Sequence, residues 1–229
     1  MFLGHYGVAF AAKRLEPRVS LGAYAFAAQF LDELWPILVL AGVEHARPAP
    51  GLMPAQSIDF VSYPISHSLL MTIVWGVLVG GVYFAFRRYR RGAIVLGLTV
   101  VSHWVLDVPM HRADLPLWPG SSIVVGWGAW RSIPLTLFLD VGTFLIGLAL
   151  YVRATRARDR VGGWGLWTLV VLLVAVYLAG TFGPPPSTER AIAMSALPLW
   201  LIVLWMLWID HHREFLAPSH SPAPREQIG

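Results

Sequence analysis

Six long apolar segments dominate this chain and restrict it to a membrane. They run over residues 19–44, 66–86, 92–109, 132–152, 163–182 and 191–210. Each is close to the roughly 20 residues that a helix needs to cross the hydrocarbon of a bilayer. Hydrophobic residues make up 56% of the 229 and charged residues only 13%, which excludes an ordinary soluble domain. The sequence therefore predicts an all-α fold, a polytopic membrane helix bundle with six transmembrane helices.

The two ends of the chain differ from these segments. Residues 1–12 are apolar but too short to cross a bilayer, so we expect a short, half-buried N-terminal helix beside the spans. Residues 213–229 are polar and contain proline, which predicts a flexible tail. Residues 1–212 are accordingly interpreted as a single transmembrane helical domain.

Arginine clusters predict the orientation of the bundle. The basic stretches at 13–18, 87–91 and 153–160 alternate with weakly charged connections at 45–65, 110–131 and 183–190. Short basic loops stay in the cytoplasm, so this alternation predicts a multi-pass protein of the bacterial inner membrane with both ends inside. Because the basic residues are divided among short loops, the net charge of +4 favours topology signals over nucleic-acid binding. The expected partner is membrane lipid, and the oligomeric state is left open.

Several ionisable residues interrupt the apolar segments at a similar depth. A rise of roughly 1.5 Å per residue from the nearest arginine cluster predicts their distance from the cytoplasmic side. The predicted depths are about 12 Å for His5, 21 Å for Asp32, 18 Å for His103, 24 Å for Asp107 and 20 Å for Asp140, with His67 farther out at about 30 Å. Each charge costs about 2–3 kcal/mol near the membrane centre, so these groups are expected to share a polar interior.

The spacing of the polar residues favours a metal site. His103 and Asp107 are four residues apart and therefore lie on one helix face. Pro109 is expected to end that helix, so that His111 and Asp114 follow at the mouth of the site. The chain has no cysteine, which leaves His, Asp and Glu as ligands for a divalent ion, for which zinc is expected.

The order of five short motifs resembles a known family. GHYGVAF, LDELWP, SHSLL, SHWVLD and LPLWP follow one another over roughly residues 1–120, an order similar to that of the membrane-bound metal-dependent hydrolases of bacterial inner membranes. The resemblance implies metal-binding residues at His5, Asp32, His67, His103 and Asp107. The chain differs from the family pattern in two places. Its acidic pair precedes a proline instead of following one, and YPISHS lacks an arginine.

Hydrolysis is consistent with these residues. A zinc-like ion with an open position lowers the pKa of coordinated water toward about 7, and a carboxylate then acts as general base. Glu33, Asp140 and Asp114 are the candidates for that base, and the sequence does not choose among them. We expect a hydrolase with its site in the outer half of the bilayer and a lipidic or phosphoester substrate. The alternative is a transporter or proton relay that uses the same intramembrane residues.

Overall fold

The computed structural model describes residues 1–216, which form a bundle of helices. The helices are α1 (Leu3–Leu15), α2 (Leu21–Leu40), α3 (Pro64–His67), α4 (Leu69–Arg87), α5 (Arg90–Met110), α6 (Ile133–Ala154), α7 (Arg160–Phe182), α8 (Glu189–Ala196) and α9 (Leu199–His211). Within the described residues, six helical stretches are long and apolar enough to cross a membrane: α2, α4, α5, α6, α7, and α8 with α9. The predicted all-α bundle of six spans is confirmed.

Short antiparallel strand pairs connect the helices. They are β1 (His45–Met53) with β2 (Gln56–Ser62), β3 (Leu115–Pro116) with β4 (Val124–Val125), and β5 (Thr155–Ala157) with β6 (Arg213–Phe215). The β1–β2 hairpin lies in the connection at 45–65, where the sequence predicted no strands. Residues 213–215, assigned to a flexible tail, form strand β6, and residues 217–229 of that predicted tail lie outside the described residues.

Helix α1 is enclosed by the spans, against α6, α2 and α5. Its 13 residues cover only about 20 Å, too short to cross a bilayer. Leu3, Tyr6 and Phe10 are fully buried. A Cβ on Gly7 would lie 2.5 Å from the Thr143 carbonyl oxygen, so the close crossing with α6 requires a glycine at this position. The predicted short N-terminal helix is thus part of the core.

Polar contacts join the basic segments at one end of the bundle. Lys13 at the end of α1 donates to Asp210 of α9 at 3.0 Å. Glu16 accepts from Tyr89 at 2.7 Å and pairs with Arg91 at 3.0 Å, which ties the α1–α2 connection to the start of α5. The positive-inside rule predicts that this end faces the cytoplasm.

The opposite end is covered by the β1–β2 hairpin. Asp59 of β2 pairs with Arg47 of β1 at 2.7 Å and also with Arg112, beyond the end of α5. The backbone N–H of Ala55 donates to the carbonyl of Trp130 at 3.1 Å. These contacts hold the hairpin against the segment that precedes α6. Asp59 therefore has a structural role, because its ion pairs hold the hairpin at this end of the bundle.

The last membrane span is divided into α8 and α9. The sequence analysis expected one continuous helix over 191–210, but α8 ends at Ala196 and α9 begins at Leu199. Pro198 lies between them, and proline has no backbone N–H to continue the helical hydrogen bonds. The break lies beside the cavity described below.

Candidate metal site

The five residues that the family resemblance implied as ligands lie together in the core. His5 comes from α1, Asp32 from α2, His67 from α3, and His103 and Asp107 from α5. The His Nε2 atoms lie near carboxylate oxygens, at 3.2 Å for His5 and Asp107, 3.2 Å for His103 and Asp107, 3.4 Å for His67 and Asp32, and 3.7 Å for His103 and Asp32. Two groups of three residues could each hold a metal ion. One is His5, His103 and Asp107, and the other is Asp32, His67 and His103.

A break between two helices brings His67 into the cluster. Rise along a straight helix placed this residue near the outer surface, but α3 ends at His67 and Ser68 has an extended backbone. Ser68 then caps α4 by accepting from the N–H of Met71 at 3.3 Å. Because the helix does not continue through Ser68, a count along α4 does not give the depth of His67. The His67 side chain is buried and its Nε2 lies 4.0 Å from Asp107 Oδ2.

Hydrogen bonds at the Nδ1 atoms fix the proton positions on two of the histidines. His103 Nδ1 lies 2.7 Å from the Ala28 carbonyl, which only accepts, so Nδ1 carries the hydrogen. Ser66 Oγ donates to Glu44 at 2.6 Å and therefore accepts from His67 Nδ1 at 2.7 Å. In the neutral rings, the Nε2 lone pairs then face the carboxylates. Partners at the far nitrogen are typical of metal-binding histidines.

The unpartnered Nε2 atoms beside Asp107 indicate a place for a cation. His5 Nε2 and His103 Nε2 make no hydrogen bond of acceptable geometry, although each lies 3.2 Å from Asp107. Two acceptors at this distance repel each other unless a positive charge lies between them. Ligands on a tetrahedral zinc ion are separated by about 3.3 Å, given bonds of roughly 2.0–2.1 Å. The donor set therefore fits a divalent ion. The Met1 amino group, 2.5 Å from Asp107 Oδ1, also brings positive charge to this carboxylate.

Asp140 and the ring of His103 position His5. Asp140 accepts from the backbone N–H of Phe2 at 3.1 Å and of Gly4 at 2.6 Å, at the start of α1. A carboxylate in this position satisfies helix donors and interacts favourably with the helix dipole. The His5 ring stacks on His103 with centroids 3.6 Å apart. Asp140, one of the three base candidates, thus holds the helix that carries a candidate ligand.

Asp114, another base candidate, belongs to a hydrogen-bonded group around His111. Asp114 accepts from Tyr63 at 2.9 Å and from Arg112 at 3.0 Å, and it lies 3.0 Å from His111 Nδ1. Burial lowers the pKa of His111 below its usual value of 6.5, so the ring is neutral at pH 7. Asp114 therefore accepts a hydrogen bond from the Nδ1–H of His111, and the Nε2 of His111 is free to accept a proton.

Glu33, the third base candidate, makes no hydrogen bond to this arrangement. Its side chain is buried, and neither carboxylate oxygen has a hydrogen-bond partner. It is absent from the described residues that line the cavity beside the cluster.

A cavity of about 270 Å³ reaches the cluster from the hairpin-covered end of the bundle. Its polar lining residues include Asp32, Tyr63, His67, Asp107, His111 and Asp140. The Asp32 side chain is 28% exposed, whereas that of Asp107 is 2% exposed. Asp32 is therefore the carboxylate of the cluster that a molecule in the cavity meets most directly.

Sequence reasoning missed the residues that support His67. Ser66 directly precedes His67 in the SHS motif, and this adjacency could have indicated Ser66 as a hydrogen-bond partner of His67. Glu44 lies 22 positions from Ser66 and is fully buried, where it accepts from the backbone of Ile65 and Ser66 at 2.8 Å. No local pattern connects Glu44 with the SHS motif, and only the tertiary fold shows the contact.

Six membrane-crossing helices around a buried His/Asp cluster define a polytopic membrane protein. A protein-family model matches most of the chain. The chain belongs to the YdjM inner membrane protein family, whose family model matches residues 4–183. No curated protein and no solved structure matches it. The match extends beyond the resemblance over 1–120 and confirms a multi-pass protein of the inner membrane. The family description names a location and no reaction.

Proposed function

We propose that this protein is a metal-dependent hydrolase whose catalytic centre is the cluster formed by His5, Asp32, His67, His103 and Asp107. One observation carries the proposal. The Nε2 atoms of three histidines lie 3.2–3.7 Å from carboxylate oxygens, the spacing of ligands around one ion. Two carboxylates within the membrane, Asp107 fully buried and Asp32 largely so, also need positive charge beside them. Zinc is the ion that this set of nitrogen and oxygen ligands suits best.

The cavity supplies the other requirements of hydrolysis. A divalent ion at the cluster would provide a Lewis acid and a nucleophile derived from water at neutral pH. His111 lines the same cavity, and Asp114 orients its ring with the Nε2 lone pair free. His111 is thus suited to accept a proton during attack and to return it to the leaving group. The proposed substrate is a lipid with a phosphoester or acyl ester, which can reach a site below the membrane surface.

The grouping of the polar residues favours hydrolysis over transport. A proton relay or ion pathway needs polar groups distributed from one side of the membrane to the other. Here the candidate ligands converge in one place, and a hairpin covers them on one side. A transporter would use the same residues without a fixed ion, so the metal content of the protein separates the two functions.

Elemental analysis of detergent-purified protein tests the proposal. We expect about one or two equivalents of a divalent metal in the parent, and a loss of most of it in His103→Ala and Asp107→Ala, because each removes one of few ligands. His211→Ala and Asp210→Ala are matched controls at the basic end of the bundle and should keep the metal. A parent protein that contains no metal and takes up neither zinc, manganese nor iron would overturn the proposal.

A further inference from the structure

The exposed residues in the lining of the cavity beside the cluster lie on α7 and α8, on the side that faces the membrane. Most of its wall is buried: Ala55, His67, Trp130, Thr136 and Asp140 are each at most 7% exposed. The lining residues of α7 and of the α8–α9 region differ. Val176 is 38% exposed, and Gly180 and Ser195 are also exposed. The cavity therefore opens between α7 and the break that separates α8 from α9.

The aqueous side of the cavity is closed by the hairpin. Ala55 and Phe60 of the hairpin region line the cavity, and the Ala55 N–H is bonded to the Trp130 carbonyl at 3.1 Å. The Phe60 and Trp130 rings stack with centroids 6.2 Å apart. Asp59 fastens the same strand to Arg112. A substrate that enters without displacing this cover must come through the opening at α7.

The opening lies at the depth of acyl chains. Val176 is about 24 Å along α7 from Arg160, and Leu199 is about 18 Å along α9 from His211. The hydrocarbon layer is about 30 Å thick, so both residues lie within it when the basic ends are at the cytoplasmic surface. This is the half of the bilayer away from the cytoplasm. Val176, Ala196 and Leu199 are apolar and can contact acyl chains without leaving polar groups unpaired.

The cavity is large enough for a headgroup only. Its volume of about 270 Å³ is below the roughly 300–1,000 Å³ of pockets that enclose a whole drug-sized ligand. A phospholipid is larger than such a ligand, so its chains have to remain outside. The polar side chains of Asp32, Asp107 and His111 in the lining suit the ester group of a lipid near an ion.

We propose that the gap between α7 and the α8–α9 break is a lateral entrance and acyl-chain site for a phospholipid of the outer leaflet. Its headgroup enters the cavity and its chains stay between Val176, Gly180 and Leu199. The assignment of this lipid as substrate rests on the hydrolase function proposed above. The assignment of the gap as a lipid site does not depend on it.

A bulky side chain at the gap tests the entrance. A Cβ at Gly180 meets no atom within 4 Å, so Gly180→Trp can fold while its ring fills the gap. Gly142 on α6 has equally open surroundings and lies outside the cavity lining, which makes Gly142→Trp the matched control. Ser195→Trp narrows the gap from the other wall and serves as a second variant if Gly180→Trp is not monodisperse.

The measurement is lipid retention after reconstitution in vesicles of phosphatidylcholine and phosphatidylglycerol. Protein released from them is analysed by native mass spectrometry, and metal is measured in the same samples. We expect bound phospholipid in the parent and in Gly142→Trp, and at least a tenfold loss in Gly180→Trp or Ser195→Trp with metal content unchanged. Equal lipid retention in all variants overturns the entrance. Metal-free samples with the expected lipid pattern support the entrance and overturn the hydrolase.

Discussion

Ser66 connects His67 to Glu44, and its removal should weaken metal binding without removing a ligand. In Ser66→Ala, the Nδ1–H of His67 loses its acceptor at 2.7 Å in a fully buried position. An orphaned buried donor costs about 1–3 kcal/mol. Supporting partners of this kind contribute about 10–100-fold to metal affinity. At about 1.4 kcal/mol for each factor of ten, the two estimates agree.

Ser68→Ala is the matched control for this experiment. Ser66 and Ser68 flank His67, and both are fully buried. Ser68 caps α4 through the N–H of Met71, so its loss should lower stability by about 0.5–2 kcal/mol and leave the His67 ring unaffected. Ser68→Ala should therefore bind metal with the parent's affinity.

The assay is a zinc titration of metal-stripped protein in competition with a chromophoric chelator. We expect a dissociation constant about 10–100-fold higher for Ser66→Ala and unchanged for Ser68→Ala. Parent-like affinity in Ser66→Ala would refute the role of the serine in orienting His67. An equal weakening in both variants would also refute it, because the effect would then come from the α3–α4 connection as a whole.

Three further predictions concern folding, acid stability and topology. Gly7→Leu should prevent α1 from packing on α6, so the variant should lose its monodisperse peak in size-exclusion chromatography. The control Gly81→Leu should keep that peak. A monodisperse Gly7→Leu protein would contradict the close crossing of α1 and α6. Burial holds the pKa of His111 below 6.5, so the unfolded chain takes up this proton first and stability falls as the pH drops below 6.5. His111→Gln should flatten this part of the thermal-stability profile, and an unchanged slope would be contrary to the prediction. Reporters fused after Arg90 and near Gly120 should read cytoplasmic and external, respectively, and reversed signals would place the cavity on the cytoplasmic side.

Continuous helices made much of the site predictable from sequence. A fixed rise per residue placed Asp32, His103 and Asp107 at similar depths, and these residues lie together in the structure. The same arithmetic needs an unbroken helix. The predicted depth of His67 was wrong because this residue lies before the break at Ser68. The span predicted over 191–210 is likewise interrupted at Pro198.

Contacts between distant segments were the part that sequence could not give. Glu44 reaches Ser66 from the loop before the hairpin, and Asp140 reaches the start of α1 from α6. Asp140 interrupts an apolar helix, which marked it as unusual but did not distinguish a general base from a helix cap. Pairing partners separated by tens of residues depend on how the helices pack, and one sequence contains no direct record of that packing.

The docking of α1 has a consequence for the order of assembly in the cell. His5 is translated early, but the residues that hold its helix belong to α6, and the bond from Gly4 to Asp140 spans 136 positions. At roughly 5–20 residues per second, synthesis of that interval takes about 7–27 s. During this time α1 has neither its cap nor the Phe144 surface against which Gly7 packs. The histidine cluster is therefore completed only after α6 has entered the membrane, and an ion bound through His5 must be acquired by a chain that already includes α6.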